Sequence, residues 1–401
     1  MSEPTGSAGG TLPLAGMRVV ALEQAVAAPL ATRHLADLGA EVIKIERRGE
    51  GDFARQYDDA VHGIASHFVW LNRGKRSVAI DLKHRRGREI VADLIAGADV
   101  VVQNLAPGAA ARLGLDADTL RAAHPALVVA TISGYGSGGP WAERKAYDLL
   151  VQAESGLVSI TGTPDSAAKT GIPTSDIAAG MYVVTSVLSA LLRRERTGQG
   201  ASIEVSMLEA TAEWLGHPMY VQMYAGRQLP RMGLSHAAIA PYDAYPTADG
   251  QVLIGVQNDR GWQVLCREVF DDAGLAEDTR FTTNLLRVEH RAACDAAVGA
   301  RTAVWSTVDL EERLAVAGVA AARVNRMAEL VDHPQLAARD RWRPVETAAG
   351  PVKGLLPPMQ FADIELPMGP VPGLGEHTAE VLTELGVRPE EQDRLRAEGV
   401  W

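Results

Sequence analysis

An aspartate at the start of an apolar helix is the residue of this sequence best placed to do chemistry. Asp176 follows Thr174 and Ser175, which are typical helix-start residues, and a long apolar run begins at Ile177. Backbone N–H donors and the positive helix end predict a lowered pKa for this carboxyl, which keeps it ionised. An ionised carboxylate can act as a nucleophile, but Asp176 can instead simply cap its helix, and the pattern leaves both interpretations open.

A tyrosine and a second acidic residue lie upstream, at the start of another predicted helix. Tyr147 and Asp148 open the apolar stretch 147–152, and a Gly-Thr-Pro-Asp turn at 162–165 separates it from the Asp176 helix. Carboxylate, tyrosine, glycine and helix-start signals therefore converge in residues 145–180. This stretch is the predicted centre of the chemistry.

The N-terminal part of the chain predicts the start of a parallel sheet. Residues 17–22 and 41–46 are expected to form buried strands and residues 29–38 the helix between them. A dinucleotide-binding fold needs glycines after the first strand, but residues 23–29 read Glu-Gln-Ala-Val-Ala-Ala-Pro. Binding of NAD is therefore disfavoured.

Basic residues occur in three clusters of the N-terminal half. They are Lys44 with Arg47 and Arg48, residues 72–76, and residues 83–88. A single charge run usually forms a solvated face. Three runs in an acidic protein, the first at the end of a predicted parallel strand, favour an anionic ligand such as the phosphates of a nucleotide-like cofactor.

Composition narrows the class of protein. The 401-residue chain carries a formal charge of −11, which argues against nucleic acid or an anionic membrane surface as the main partner. Its two cysteines, Cys266 and Cys294, show no disulfide or metal-ligand spacing, so we expect a reducing cytoplasm and no metal. The sequence contains no uninterrupted apolar run of membrane-spanning length, and residues 1–12 are expected to be a flexible lead-in.

The sequence texture predicts two domains. A large domain covers residues 13–216 and is completed by residues 331–401, whereas residues 251–330 form a small α+β domain. The proline-containing residues 217–250 between them are expected to be a linker.

Several catalytic motifs are missing from the sequence. It has no GxSxG elbow and no HExxH helix, and the glycine-rich loop 134–140 lacks the Lys-Ser/Thr of a P-loop. His377 precedes a predicted helix at 379–385 and could act as a base or, as the pattern favours, cap that helix.

Taken in order, the motifs resemble the class III CoA-transferase (CaiB/BaiF) family. That family includes formyl-CoA, carnitine and dicarboxylate CoA-transferases as well as α-methylacyl-CoA racemases. The resemblance extends from residue 12 to about residue 385. It is carried by residues 14–20, 38–46, 72–77, 103–108, 146–148, 176–180, 196–200 and 374–378.

The resemblance implies an architecture and a set of site residues. The fold would be α/β, with a Rossmann-like parallel sheet in the large domain, a small α+β domain, and two subunits interlocked as rings in a homodimer. Asp176 would be the catalytic nucleophile, and Val26, Tyr147 and Asp148 would contact substrate. The residues expected near CoA are Arg47, Asn72, Lys75, Arg76, Arg112 and Lys145. At Val26 the sequence departs from formyl-CoA transferases, which carry glutamine there, and it lacks their glycine-run loop.

The chemistry implied by the resemblance is CoA transfer through an enzyme-bound anhydride and an aspartyl-CoA thioester. Coenzyme A and its thioesters would be substrates, and no tightly bound cofactor is needed. The resemblance points to succinyl-CoA and a small dicarboxylic acid, with Arg231, His236 and the loop 134–139 as candidates for the second carboxylate.

Two alternatives remain open. Racemases of the family place a histidine where this sequence has Tyr147, whose ordinary pKa near 10 suits proton abstraction poorly. Tyr147 could instead donate a hydrogen bond to substrate or serve as a buried structural tyrosine. The alternative from another class is a non-catalytic protein that binds CoA or a nucleotide.

Overall fold

The computed structural model describes residues 11–401, which form two compact units. Of these residues, the first unit holds 11–157, 170–217 and 338–401, and the second holds 158–169 and 218–337. The predicted lead-in at residues 1–12 lies outside the described residues except for its last two positions.

The described chain contains thirteen short strands, six of which form one sheet. They are β1 (Arg18–Leu22), β2 (Glu41–Glu46), β3 (Lys75–Ala79), β4 (Val100–Gln103), β5 (Val128–Ser133), β6 (Gly162–Thr163), β7 (Ser166–Ala167), β8 (Ala201–Ser206), β9 (Tyr242–Pro246), β10 (Gln251–Gly255), β11 (Ala320–Arg323), β12 (Trp342–Val345) and β13 (Val352–Leu355).

Helices connect these strands. They are α1 (Ala27–Asp37), α2 (Ser66–Asn72), α3 (Arg85–Ala96), α4 (Ala109–Leu113), α5 (Ala117–Ala123), α6 (Asp148–Glu154), α7 (Leu157–Ile160), α8 (Thr174–Thr197), α9 (Met207–Trp214), α10 (Gly216–Ala225), α11 (Asp259–Val264), α12 (Ala273–Glu277), α13 (Asn284–Glu289), α14 (Arg291–Thr302), α15 (Thr307–Ala317), α16 (Met327–Val331), α17 (Pro334–Ala338), α18 (Thr378–Glu384) and α19 (Pro389–Ala397). A 3₁₀ turn at Phe53–Gln56 and a π-helical turn at Leu265–Val269 complete the set.

The central sheet of the first unit is parallel, as predicted. Its strand order is β3-β2-β1-β4-β5-β8, and every pairing in it is parallel. The chain runs outward from β1 to β3 and then resumes at β4 on the other side of β1. Ligands of open α/β sheets bind at such a reversal, beyond the carboxyl ends of the strands.

Both faces of this sheet are buried, which explains its continuous apolar strands. Val101 of β4 packs into one apolar core, whereas Val100 and Val102 pack into the other. Helices α1 and α8 cover the face that contains Val100 and Val102. Helices α3, α18 and α19 cover the face that contains Val101. The last segment of the chain therefore completes the sheet formed by the first segment.

The C-terminal Gly-Glu-His-Thr segment closes the edge of the sheet at β3. The amide of Ser77 donates to His377 Nδ1 at 3.3 Å, and the amide of Ala79 donates to Thr378 Oγ1 at 3.0 Å. No side-chain hydrogen bond from His377 caps α18. His377 is therefore the N-cap residue of α18, as the pattern favoured, but its imidazole pairs the edge strand β3 instead of the helix amides.

The second unit contains a three-stranded antiparallel sheet in the order β11-β10-β9. Its core includes Trp262, Phe281, and the free cysteines Cys266 and Cys294. The linker predicted at 217–250 is wrong where it contains most of α10 and all of β9. Strand β9 ends in Pro246, and proline suits this edge strand because an edge leaves one row of amides unpaired.

Helix α8 is unusually long and apolar. Among the described helices it alone reaches the length and mean hydropathy, 1.5, of a membrane-spanning segment, and 50% of that window is buried inside the protein. Buried core helices show the same composition.

Candidate active site

The N-terminus of α8 lies against the N-terminus of α1. At Gly180 a Cβ atom would lie 2.6 Å from the carbonyl oxygen of Ala27, so only glycine permits this approach. Val26, just before α1, packs with Leu30, Leu71 and the partly buried Ile177. Because Ile177 follows Asp176, the structure places Val26 and Asp176 in one region.

Asp148 satisfies the amides at the start of α8. Its Oδ1 accepts the N–H of Ser175 at 2.8 Å and that of Asp176 at 3.2 Å, while Gln152 Nε2 donates to its Oδ2 at 2.6 Å. Helix α8 has no side-chain cap from its own first residues. The capping interpretation of Asp176 is therefore wrong, because the cap comes from α6.

The carboxyl of Asp176 is left without a donor. Within residues 11–401 no group donates a hydrogen bond to it, since the nearby helix amides bind Asp148. Burial, together with the negative charge of Asp148, raises its pKa from 3.8 to about 7. The expected lowering of this pKa is wrong, and Asp176 changes protonation near neutral pH.

Tyr57 interacts electrostatically both with this carboxyl and with Tyr147. Tyr147 precedes α6 and is 65% exposed, so it is not the buried structural tyrosine considered above. The pKa of Tyr57 is raised to about 12 by burial and by Asp52, Asp176 and Tyr147. Tyr57 was not predicted as a site residue, although it follows the basic end of β2 in the sequence.

The loops after β1 and β4 are joined at the reversal of the strand order. The amide of Gln24 donates to Asn104 Oδ1 at 2.9 Å, and Asn104 Nδ2 donates to the Gln24 carbonyl at 2.9 Å. Arg47, at the end of β2, donates through Nη2 to Gln24 Oε1 at 3.0 Å. Arg47 therefore lies at the carboxyl ends of the strands, where an anionic ligand is expected.

Two further predicted CoA contacts are exposed cations that follow the same ends of neighbouring strands. Arg112 lies in α4 after β4, and Lys145 ends the loop that follows β5. In residues 11–401 neither side chain forms an ion pair, whereas Arg47 has one long contact, 3.7 Å, with Glu50. Arg112 and Lys145 are therefore exposed cations without a carboxylate partner in the described residues, whereas Arg47 is held by Gln24 and Glu50.

Lys75 and Asn72 have a different role from the predicted one. The Lys75 ammonium donates to Glu23 Oε1 at 2.7 Å, to the Pro29 carbonyl at 3.0 Å and to Asn72 Oδ1 at 3.0 Å. Burial lowers the pKa of Lys75 to about 7, although Glu23 acts to raise it. Because both side chains are buried and the lysine has no donor left, their predicted contact with CoA is corrected to a structural role.

Arg76 lies at the opposite end of the strands from Arg47. It is the second residue of β3 and pairs with the carboxylates of Glu41 and Glu384, the latter at 2.7 Å. Glu41 is likewise the first residue of β2, so this cluster lies at the amino ends of the strands. The prediction that Arg76 contacts CoA is corrected for this reason.

The glycine-rich loop after β5 is fixed at both ends. At Gly134 a Cβ atom would lie 2.2 Å from that of Ala146, which brings the start of the loop against its end, next to Tyr147. Ser137 Oγ donates to Glu204 Oε2 at 2.7 Å. The loop therefore positions the residues that lead into α6, and it is not arranged as a phosphate-binding loop.

Within the second unit, the two candidates for a second carboxylate site have other partners. Arg231 donates to the carbonyls of Thr163 and Pro164, both at 3.0 Å. The His236 ring stacks on Tyr242 with centroids 5.3 Å apart. Arg231 therefore supports the β6–β7 turn. In the described chain no cluster of three or more histidine, cysteine or acidic residues could hold a metal ion.

Comparison with known proteins identifies the family. The sequence profile of CoA-transferase family III matches residues 14–378. The chain belongs to this family.

The relatives of this family III CoA-transferase include enzymes that are named for dicarboxylic acids. A succinate–glutarate CoA-transferase of Agrobacterium fabrum is 36% identical over 93% of this chain and 96% of its own length. A succinyl-CoA:glutarate CoA-transferase of Mus musculus is 31% identical over 93% of this chain and 86% of its own. A solved CaiB/BaiF family protein from Brucella suis is 37% identical, has a TM-score of 0.83, and aligns over 94% of this chain and 100% of its own.

These similarities confirm the family and the enzyme class predicted from the sequence, together with the α/β fold and its parallel sheet. The protein is a CoA-transferase, and its family uses CoA thioesters as substrates.

Proposed function

We propose that this family III CoA-transferase moves CoA from succinyl-CoA to a small dicarboxylic acid through covalent intermediates on Asp176. The observation that carries the proposal is the Asp176 carboxyl, which lies beside Val26 and has no hydrogen-bond donor in the described chain. Hydrogen bonds and solvation weaken a carboxylate nucleophile, so an ionised carboxylate without donors is the more reactive one.

The first half of the reaction transfers CoA to the enzyme. A carboxylate oxygen of Asp176 attacks the thioester carbonyl, the C–S bond breaks, and CoA thiolate leaves an acyl-aspartyl anhydride behind. The thiolate then attacks the aspartyl carbonyl, which releases succinate and forms an aspartyl-CoA thioester. No net proton is exchanged in these two steps.

The second half repeats these steps with the acceptor. Its carboxylate attacks the aspartyl thioester, which releases CoA thiolate and forms a second anhydride. The thiolate attacks the acceptor carbonyl, so that the new acyl-CoA forms and the Asp176 carboxylate is regenerated. Arg47, Arg112 and Lys145 would hold the CoA phosphates throughout, because all three follow carboxyl ends of the sheet.

The dicarboxylate assignment is supported by the relatives. The Agrobacterium and mouse proteins are named for succinate or succinyl-CoA and glutarate, and both match more than nine-tenths of this chain. A second carboxylate would bind outside the buried Val26 region, since that region is lined by apolar side chains.

We also propose an interlocked homodimer. Large apolar side chains are exposed around the starts of α6 and α8, among them Leu149, Leu150, Ile172 and Met181. Exposed apolar surface of this kind marks protein interfaces. Sedimentation at micromolar concentration should show a dimer, and a stable monomer would contradict this.

The function is tested by trapping the intermediate. Incubation with succinyl-CoA should give a covalent adduct that peptide mapping places on Asp176, and transfer to glutarate, itaconate or malate should follow. The Asp176→Ala variant should lose both, whereas the exposed control Asp165→Ala should keep both. Undiminished transfer by Asp176→Ala would overturn the mechanism, and Cα deuterium exchange of a 2-methylacyl-CoA without transfer would favour a racemase.

A further inference from the structure

The loop that precedes α1 is held in an unusual backbone conformation. Ala25 has a φ of 63°, in the left-handed region that a side chain disfavours. A non-glycine residue remains there only when surrounding contacts hold it. The next residue, Val26, packs in the same apolar cluster as Ile177, beside Asp176. The conformation at Ala25 therefore sets one wall of the candidate active site.

Asp52 supplies the contact that holds this loop. Its Oδ1 accepts the N–H of Ala25 at 3.0 Å and that of Ala54 at 2.9 Å. Asp52 is buried, and its own amide donates to Glu46 Oε2 at 2.9 Å. The acceptor is thus fixed by contacts outside the loop that it holds.

A buried lysine fixes the other oxygen of Asp52. Lys44 Nζ donates to Asp52 Oδ2 at 2.8 Å and to Glu23 Oε1 at 3.2 Å. Burial alone would lower the pKa of Lys44, but Glu23 and Asp52 outweigh this effect and raise it, so the lysine stays charged. Lys44 was grouped with Arg47 as a possible ligand of anions, yet its ammonium is buried between carboxylates.

We propose that Asp52 is a positioning residue for CoA transfer, which fixes the loop 24–26 through the Ala25 amide and thereby the position of a thioester beside Asp176. This inference rests on the proposed role of Asp176. Asp52 acts only through the loop and does not touch the reacting atoms. A displacement of about 1 Å in such a wall can cost about 10²-fold in rate.

Two charge-balanced double variants separate positioning from stability. K44M/D52N and K44M/D52A both remove the buried ion pair and leave Glu23 paired with Lys75 at 2.7 Å. The amide of the first variant retains an acceptor for the Ala25 N–H, and the methyl group of the second does not. The difference in kcat between the two variants therefore isolates the hydrogen bonds that Asp52 Oδ1 accepts from the amides of Ala25 and Ala54.

The readout is steady-state transfer from succinyl-CoA to glutarate. We expect K44M/D52N to keep kcat within about threefold of the unsubstituted enzyme and K44M/D52A to lose at least about tenfold. The KM for succinyl-CoA should stay the same in both, because the cations assigned to CoA are untouched. A residue with only a structural role would change thermal stability without changing kcat per folded enzyme.

Equal kcat values in the two double variants, or a change in KM alone, would overturn the inference. If K44M/D52A does not fold, Asp52→Glu replaces it, since it keeps the charge and shifts the carboxylate by one methylene group. The same loss in kcat is expected there, and an undiminished kcat would overturn the inference. Absence of transfer and of an Asp176 adduct in the unsubstituted enzyme would instead overturn the proposed function and this inference with it.

Discussion

The Asp148 carboxylate accepts the backbone N–H of Asp176 at 3.2 Å, so one acidic residue holds the main chain of the other. Because this N–H is taken by Asp148, it is not available to the Asp176 side chain, and the Asp148 carboxylate adds a negative charge nearby. Both effects favour the protonated form of Asp176. The reactivity of the proposed nucleophile is therefore set by a residue of α6.

Acylation of the enzyme should depend on pH near neutrality. Asp176 must be ionised to attack, and its pKa is raised to about 7 by burial and by Asp148, so the single-turnover rate should rise with pH through about 7. Asp148→Asn removes the charge and keeps an acceptor for the helix amides, and should move the midpoint to lower pH. Rapid-quench measurement of the succinyl adduct provides the profile. An unshifted midpoint in Asp148→Asn, with Asp165→Asn as control, would contradict this account.

Replacement of the nucleophile should stabilise the fold at alkaline pH. The pKa of Asp176 is about 7 in the folded protein and near 3.8 otherwise, so the folded state binds more protons between these values. The destabilising contribution of ionised Asp176 to the free energy of unfolding therefore grows as pH rises from about 4 and is fully present above about 7. Asp176→Asn should raise the free energy of unfolding at pH 8 by about 1–3 kcal/mol and by less at pH 5. Urea unfolding at both pH values measures this, and an equal effect at both would count against it.

Charge reversal at the strand ends should weaken CoA binding. Arg47→Glu or Arg112→Glu should each cost about 1–3 kcal/mol of binding free energy, because a charged hydrogen bond to phosphate is replaced by repulsion. Arg193→Glu, at the exposed far end of α8, is the matched control and should leave the affinity for CoA unchanged. Isothermal titration with CoA decides the matter, and unchanged affinity in both test variants would exclude this placement.

A methyl group at Gly180 should disturb the site through helix packing. Gly180→Ala puts a Cβ atom 2.6 Å from the Ala27 carbonyl oxygen, so α1 and α8 must separate. Overpacking of this kind costs about 1–3 kcal/mol of stability, and we expect a lower kcat as well. Gly171→Ala lies near the same helix start in open space and should be tolerated. Thermal unfolding and transfer assays compare the two, and equal behaviour would refute the packing argument.

Local patterns were sufficient to predict much of the sheet. Strand β2 was predicted at 41–46 and lies at Glu41–Glu46, because buried parallel strands read as continuous apolar runs between breakers. The linker prediction failed at β9, where Tyr245 is buried in a core that residues far away in the sequence supply. Proline at a sheet edge looks the same in sequence as proline in a loop.

The positions of Asp148 and Asp176 at helix starts were legible in the sequence, but their electrostatics was not. Asp148 accepts the Asp176 N–H, and Val26, which was named only from the family resemblance, packs with Ile177. The raised pKa of Asp176 could not be predicted, since its causes are burial by the fold and the charge of a carboxylate 28 residues away that takes the helix amide. Lys75 was misassigned for a similar reason, as its acceptors Glu23, Pro29 and Asn72 are assembled only by the fold.

The late position of α18 and α19 in the chain has a consequence for folding during synthesis. Val381, Leu382 and Leu395 cover the sheet face that contains Val20 and Ile43, more than 300 residues earlier. A nascent chain that has emerged only as far as α17 therefore exposes that apolar face to solvent. Such long sequence separation slows folding and lengthens exposure to aggregation. We expect the growing chain to depend on chaperones until its last helices have left the ribosomal tunnel.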